Sequence, residues 1–372
     1  MKTRTNIIIS CAVGVAILSI FALREGDRKV EFDTAAEQIP VNEERYISWL
    51  VKQFQQQIEA RDKDSRILMG FRDSLLTCVR AQFSVVENLR PELTVGIFQP
   101  GAKYLAWVRF SKNADPHAAG DPDVSQMAIK LAGVPGEKLY SPEPADPGSH
   151  DILLSSKHTF TYPDVETYAK AFDAFSSDQA LNFYFNPFDS HIKLFMNAKH
   201  PPPLPKNFLN TRWWSDVAYS YGDNRAVKYS ARPCRRLHRE SVEISDSDNE
   251  NQHQALKQHL RGSEGCFEFL LQFQTDGTEM PIEDSSVVWN QSLAPFEPVA
   301  LLTIGTQNFN SDRQQNFCEN LSYNPWRVSI QHRPLGGINR ARREIYKVLD
   351  YLKYSGGNGQ STTHNNGQVF NP

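Results

Sequence analysis

Residues 332–346 read HRPLGGINRARREIY and contain the positions from which the fold of this chain is inferred. The pair Gly336–Gly337 and the following Asn339 form a turn that can begin a helix. Arg342 and Tyr346 are four residues apart, so on a helix they lie on the same face, about one turn from each other. Apolar residues continue at helical spacing through this segment at Ile338, Ala341, Ile345, Leu349 and Leu352.

This arginine–tyrosine pair supports two interpretations. A guanidinium beside a phenol lowers the pKa of the phenol, and the resulting phenolate is an anionic ligand that suits ferric haem iron. Alternatively, the segment is an ordinary amphipathic helix, with its arginines in solvent and Tyr346 at the edge of its apolar side. Arginine and tyrosine at this spacing are common on helices, so spacing alone favours the ordinary helix.

Much of the chain upstream has the pattern of short strands. In Phe267–Gln274, large apolar residues alternate with polar ones, which predicts a strand with one buried face. Such strands, set apart from helices at the end of the chain, predict an α+β fold with a central antiparallel sheet. Closing the sheet into a barrel would remove its edges, although the pattern does not require closure. The predicted strands are 78–86, 95–98, 104–111, 127–131, 152–154, 226–231, 267–274 and 299–306, and the predicted helices include 46–61, 163–175 and 314–321.

The composition is that of a folded globular protein, with 372 residues, of which 40% are hydrophobic and 22% charged. A net charge of −3 gives no general attraction to nucleic acid, so we expect no nucleic-acid partner. The five cysteines have no CxxC spacing, and no zinc or disulfide framework follows from them. Cys78 and Cys266 lie in predicted strands, where we expect small buried hydrophobic residues. Residues 239–262 are acidic and polar, which predicts an exposed insertion.

The first 24 residues have the layout of a targeting segment. No charged residue occurs from Ile7 to Leu23, and Lys2 and Arg4 precede this run. At about 17 residues it is just long enough to span a bilayer, so we predict an uncleaved signal anchor in an inner membrane, with the domain outside the cytoplasm. A cleaved signal peptide, giving a secreted or periplasmic protein, is the alternative. The rest divides into a charged tether (25–46), a folded domain (47–354) and a disordered tail (355–372).

Four segments in this order resemble the catalase superfamily, specifically its short, catalase-related branch. They read CVRAQF (78–83), AWVRFS (106–111), MAIKL (127–131) and NFCENLSYNPW (316–326), and the last leads into HRPLGGINRAR (332–342). The likeness extends over roughly residues 70 to 350. It implies an antiparallel β-barrel with surrounding helices and one bound haem b.

The resemblance also implies roles for individual residues. Tyr346 matches the proximal ligand of the haem iron, and Arg342 matches the arginine that keeps this tyrosine ionised. Arg109 matches a partner of a haem propionate, and Ser111 matches the serine that supports the distal histidine of the catalytic site. Arg72 is a candidate second propionate partner. Strand alternation places Arg109 and Ser111 on one face.

The sequence departs from the family pattern on the distal side. The distal histidine should fall at Leu75, and no histidine occurs before His117. A distal asparagine is expected near Ser155–Ser156, where neither residue is Asn. His158 could act as a substitute, but a surface or packing role is the simpler interpretation. Because proton transfer by such a histidine contributes about 10²–10⁴-fold in rate, we expect little or no catalase turnover.

Three functions therefore remain open from the sequence. The first is a peroxidase-like haem oxidoreductase that acts on hydrogen peroxide or on organic or lipid hydroperoxides, with the N-terminal segment in a membrane. The second is a non-catalytic haem sensor or storage protein. The third is a haem-free interaction module. A homo-oligomer is compatible with each of them.

Overall fold

A single antiparallel sheet closes on itself to form the centre of the protein. In the computed structural model, which describes residues 35–60, 77–112, 124–140, 148–198, 207–235 and 249–356, the strand order is β5-β4-β3-β2-β1-β9-β8-β7-β6. An additional pairing between β5 and β7 closes eight strands into a barrel and leaves β6 at its side. The closed antiparallel barrel predicted from the resemblance is therefore confirmed. The strands are β1 (Thr77–Val85), β2 (Lys103–Lys112), β3 (Ser125–Leu131), β4 (His150–Ser155), β5 (Trp213–Trp214), β6 (Tyr219–Ser220), β7 (Ala226–Pro233), β8 (Gly265–Phe273) and β9 (Glu297–Ile304).

Strand alternation fills the barrel with apolar side chains. On β1, Val79 and Phe83 are fully buried in the same cluster as Phe269 of β8 and Leu302 of β9. Residues at alternate positions point to the opposite face of the sheet. On that outer face Cys78 and Trp107 belong to a second buried cluster, which includes residues 318–323 from a later part of the chain. The part of the outer face of β1–β3 around these residues is thus covered, whereas Arg80, Gln82 and Leu105 farther along it are exposed.

Seven helices lie in the described part of the chain and surround the barrel. They are α1 (Glu43–Ala60), α2 (Val165–Ser176), α3 (Ala180–Phe185), α4 (Ile192–Ala198), α5 (Asn249–Gly262), α6 (Asp312–Asn320) and α7 (Gly337–Gly356). Helix α1 packs against α7 and α2, where Trp49 and Phe54 contact Phe172. Helix α2 begins at a side-chain cap, because Asp164 accepts a hydrogen bond from the Thr167 N–H.

Two local predictions are wrong. Residues 95–98 form a turn and not a strand, because Gly96 has φ +54° and a Cβ there would overlap the buried ring of His332. Part of the predicted exposed insertion is helix α5, whose residues Leu256 and Leu260 are buried in the main core. The polar majority of this helix hides the short apolar stripe in the sequence.

Cys78 is buried as predicted, whereas Cys266 is only partly buried, and the structure pairs both cysteines in disulfides that the sequence did not indicate. Cys78 forms a disulfide with Cys318, and Cys234 forms one with Cys266. The first joins β1 to α6 across 240 residues, so nothing in the local spacing indicates it. It fastens the 318–323 segment to the outer face of the barrel.

Several predicted features lie outside the described residues. They include the targeting segment 1–24, residues Arg72 and Leu75, and almost all of the tail 355–372. Within the described residues, no helix combines the length and apolar character needed to cross a membrane. Helix α1 begins at Glu43, inside the stretch that the sequence assigns to a tether.

The two disulfides predict unequal stabilities for variants that lack them. Loop-closure entropy grows with the logarithm of the loop length, and the sequence separations are 240 and 32 residues. We expect Cys78→Ala/Cys318→Ala to lower the free energy of unfolding by about 2 kcal/mol more than Cys234→Ala/Cys266→Ala. Urea unfolding of both variants measures the difference, and equal losses would contradict the assignment of Cys78–Cys318 as the long-range link.

Candidate functional site

Neighbouring residues lie very close to the backbone at the start of helix α7. Gly336 has φ +86°, and a Cβ at this position would lie 2.6 Å from the Ile282 carbonyl oxygen. A Cβ on Gly337 would lie 2.8 Å from a Glu43 carboxylate oxygen and 3.1 Å from Val165. A side chain at either position would therefore displace the helix, which explains why both are glycine.

Arg340, one turn into α7, contacts three carboxylates. Its guanidinium lies 2.6 Å from Glu43, 2.6 Å from Glu37 and 2.7 Å from Glu283. Glu37 and Glu283 also accept hydrogen bonds from the Gly336 and Gly337 N–H groups. We call these residues, Glu37, Glu43, Glu283 and Arg340, the α7 clasp. Carboxylates at a helix N-terminus are favourable because they satisfy free N–H groups and the helix dipole.

No pattern in the sequence indicates which carboxylates form the clasp, and the neighbours Glu283 and Asp284 show why. Glu283 contributes a carboxylate, whereas its neighbour Asp284 stabilises a local turn by accepting from Ser286. Burial raises the pKa of Glu37, but the Gly336 N–H and Arg333 outweigh burial and leave this pKa below its ordinary value. Glu37 and Arg340 are therefore charged at neutral pH, and the clasp fixes the position and rotation of α7.

Arg342 and Tyr346 both project from α7 into a cluster of aromatic residues. Arg342 makes a two-point ion pair with Asp216, with N–O distances of 3.1 and 2.9 Å. Its guanidinium also lies over the Phe160 ring, 5.3 Å from the centroid. Burial lowers the pKa of Arg342, but Asp216 outweighs this and raises it above the ordinary value. Arg342 is thus permanently charged, and Asp216 holds it in place.

The Tyr346 phenol has a raised pKa in this structure, whereas the sequence predicts that Arg342 lowers it. Burial is the largest effect and raises the pKa, while Arg342 and Arg109 lower it. Asp216 and Asp350 add negative charge nearby and raise it further. Tyr346 therefore keeps its proton unless a cation takes the proton's place.

Arg109 reaches the same cluster from β2. Burial lowers its pKa, and the partial or full negative charges of Tyr323, Tyr346 and Asp151 raise it. Its guanidinium lies over the Tyr323 ring, 4.3 Å from the centroid. The Nε atom of Arg109 is buried and has no hydrogen-bond partner among the described residues.

A buried polar network supports Tyr323 and hence Arg109. Asp151 of β4 accepts from Lys130 at 2.8 Å and from Arg327 at 3.1 Å, so one carboxylate faces two cations. Asp151 also accepts from the Asn324 N–H, while the Asn324 side chain donates to Asp350 of α7. These bonds tie the segment around Tyr323 to both the barrel and α7.

The structure thus brings together Arg109, Arg342 and Tyr346, and it adds Asp216 and Tyr323, which the sequence analysis missed. No motif indicates Asp216, since it lies in a short connection after β5. Ser111 is buried on β2, on the face that Arg109 occupies. The hydroxyl of Ser155, near the position where an asparagine is expected, donates to the Lys157 carbonyl and accepts from the Lys157 N–H within its own turn.

His158 packs elsewhere. Its ring lies 3.9 Å from the Trp214 ring, and it lines a small pocket, open to solvent, together with Lys228 and Trp289. None of the contacts found for His158 in the described residues includes Arg109, Arg342 or Tyr346. A packing role for His158 therefore agrees with its position.

The residues of the cluster fit a haem in charge and chemistry. The unpaired Nε of Arg109 is a donor suited to a carboxylate, and Tyr346 beside a fixed cation suits an iron ligand. Two further buried hydroxyls, Tyr219 and Tyr323, have no hydrogen-bond partner among the described residues. Within the same residues, no group of three His, Cys, Asp or Glu side chains could hold a metal ion.

Comparison with solved structures gives the fold. The chain superimposes on a bacterial catalase with a TM-score of 0.56 at 16% identity, covering 88% of this chain and 64% of the other. A fungal catalase gives 0.57 at 13% identity (88% and 66% covered), and catalase A from Saccharomyces cerevisiae gives 0.55 at 16% (88% and 68% covered). The chain spans about two thirds of the length of these structures.

No protein-family model and no curated protein matches the sequence. Identities this low show a shared fold and leave the chemistry to be argued from the residues present. The chain therefore has the catalase-like β-barrel fold.

The buried histidine before α7, His332, should make the stability of the protein sensitive to acid. His332 is fully buried, its Nε2 accepts from the Ile97 N–H at 3.2 Å, and burial lowers its pKa to about 4. In the unfolded chain His332 binds a proton near pH 6.5, whereas in the folded protein it binds one only near pH 4. Stability that depends on neutral His332 is therefore fully present above pH 6.5 and is lost as the pH falls toward 4. The loss amounts to roughly 3 kcal/mol by linkage.

Urea unfolding between pH 7 and 4 measures this slope. We expect His332→Gln to be less stable at pH 7 and to have a shallower slope between pH 6.5 and 4 than the unsubstituted protein. His191→Gln, at a partly exposed ring immediately before α4, is the matched control. Equal slopes for His332→Gln and the unsubstituted protein would show that His332 is protonated in the folded state.

Proposed function

We propose that this protein binds haem b with Tyr346 as the iron ligand and acts on peroxides as a weak, peroxidase-like enzyme. The observation that carries the proposal is that Arg109 from β2 lies close to Arg342 and Tyr346 from α7 in one partly buried cluster. The barrel fold shared with catalases supports it. Bound ferric iron would supply the redox chemistry with peroxide.

The residues of the cluster would have different roles in holding the haem. Tyr346 would give up its phenolic proton on binding, because a cation would then offset the cost of a buried phenolate. Arg342 would balance that phenolate, and Asp216 would keep the guanidinium in position. Arg109 would donate to a porphyrin carboxylate through the nitrogen that lacks a partner here. Arg72 is the proposed second carboxylate partner, and Ser111 the proposed polar residue on the peroxide side.

The distal side determines the expected activity. The sequence has no histidine before His117, so no imidazole occupies the position of Leu75 to move a proton between the two peroxide oxygens. A group of this kind contributes about 10²–10⁴-fold in rate. We therefore propose low turnover of hydrogen peroxide and reduction of organic or lipid hydroperoxides at the expense of an added electron donor.

One alternative function rests on the same observation. Without a distal acid–base group, the protein could hold haem without turning over peroxide, as a sensor or a store. A further proposal, from the sequence alone, is that residues 1–24 anchor the domain to a membrane outside the cytoplasm or direct its secretion.

Haemin titration of the full chain tests the proposal. We expect one haem per chain, with an absorption spectrum of high-spin ferric haem, and slow oxidation of a phenolic donor by an alkyl hydroperoxide. Tyr346→Phe should lose most of the bound haem or its charge-transfer band, because phenylalanine cannot bind iron. The matched controls are Tyr168→Phe and Tyr219→Phe, which remove hydroxyls that also lie near Arg342.

The outcomes separate the candidate functions. Haem binding that depends on Tyr346 but gives no peroxide turnover would favour the sensor or store. Unchanged haem content in Tyr346→Phe, or an equal loss in all three variants, would contradict the ligand assignment. Absence of stoichiometric haem in the unsubstituted protein would leave a catalase-shaped interaction module.

A further inference from the structure

Helices α3 and α4 carry large apolar side chains that face solvent. Phe188 in the turn between them is 97% exposed, and Leu181, Phe185, Ile192 and Met196 are 71%, 45%, 51% and 52% exposed. We call these five residues the 181–196 patch. Single exposed apolar residues are ordinary, but five within one short segment indicate a surface that binds an apolar partner such as a protein or a membrane.

The patch is separate from the face with which these helices pack against the rest of the protein. Their other face already packs in its own aromatic cluster, in which Phe183 is buried against Phe175 and His191. Tyr184 and Phe195 complete the contact between α3 and α4. The two helices are therefore apolar on an inner and an outer face, and of the outer residues Phe185 also contacts Phe195 of α4.

The charges around the patch nearly cancel. Asp189 pairs with Lys170 at 2.6 Å and lies 3.5 Å from His191. Asp178 and Lys193 are the other charged residues between 177 and 198. A surface with this balance has no electrostatic preference for anionic lipid.

The position of the chain's first described residues brings this surface within reach of a bilayer. Glu37 and Glu43 are held by Arg340, and Gly337 in the same place lies beside Val165, the first residue of α2. Helix α2 is 12 residues long, or about 18 Å, and the patch follows its far end. Residues 24–34, which join this point to the uncharged run 7–23, can span roughly 35 Å when extended.

We propose that the 181–196 patch docks on the surface of a lipid bilayer, with Phe188 and its neighbours in the interfacial region. Aromatic and aliphatic side chains on short helices gain about 25 cal/mol per Å² when they leave water in this way. The uncharged N-terminal run and the patch then contact the same membrane. The run anchors the chain, and the patch rests on the bilayer surface. The contact does not depend on bound haem, so it can be tested separately from the proposed function.

Site-specific fluorescence on the full chain in phosphatidylcholine vesicles tests this contact. The variant Phe188→Cys/Cys11→Ser has one thiol outside the two disulfides and can be labelled with an environment-sensitive dye. We expect vesicles to increase the emission severalfold and to shift it to the blue, and lipid-borne nitroxides to quench it. Adding anionic lipid should change neither effect.

Leu105→Cys/Cys11→Ser is the matched control, because Leu105 is 58% exposed but lies on β2. Its label should remain in water. A second variant, with Leu181→Ser and Ile192→Ser added to the Phe188 reporter, should lose most of the lipid-dependent change.

Three outcomes would overturn the proposal. One is a label at 188 that stays accessible to aqueous iodide with vesicles present. Another is equal quenching at 105 and 188. The third is an emission change that depends on protein concentration and occurs without lipid, which would assign the patch to contact between copies of this chain.

Discussion

The ion cluster at Arg340 is the constraint on which the candidate site depends. One guanidinium lies within 2.7 Å of three carboxylates that come from two distant parts of the chain, residues 37–43 and Glu283. Removing Arg340 would leave these carboxylates without the cation between them, and breaking a buried ion pair in this way typically costs about 3–5 kcal/mol. Because two of these carboxylates also bind the first N–H groups of α7, the cluster sets where the helix begins. The direction of every later side chain on α7, including Arg342 and Tyr346, follows from that starting point.

The second half of the site depends on how the outer face of the barrel is covered. The Cys78–Cys318 disulfide and the Asp151 network hold residues 318–327 against β1–β3. Tyr323 then lies beneath Arg109 and gives its guanidinium an aromatic face in place of water. This arrangement leaves Arg109 with one buried nitrogen, Nε, that has no hydrogen-bond partner among the described residues and is suited to an anion. Arg109, Arg342 and a protonated Tyr346 therefore lie together in one partly buried cluster.

The alternation of inward and outward residues on strands such as β8 predicted the antiparallel sheet, whereas closure of the sheet into a barrel was implied by the resemblance to the catalase superfamily. The same resemblance singled out Arg109 and Arg342, which lie within the matching segments, and Tyr346, which lies one turn after the last of them. It did not indicate Asp216 or the carboxylates of the clasp, because these depend on contacts between distant parts of the chain. The turn at Gly96 was mistaken for a strand because its apolar residues are buried against His332 and not in the sheet. The raised pKa of Tyr346 required knowledge of burial, which the spacing of Arg342 and Tyr346 does not contain.

The central claim is that Tyr346 binds iron when this cluster is loaded. Resonance Raman spectroscopy of the haemin-loaded full chain, prepared once with ordinary tyrosine and once with ring-deuterated tyrosine, tests it most directly. The account predicts iron–phenolate vibrations that shift with the deuterated ring, while the porphyrin bands stay unchanged. A loaded protein whose low-frequency iron bands are the same in both preparations would contradict it.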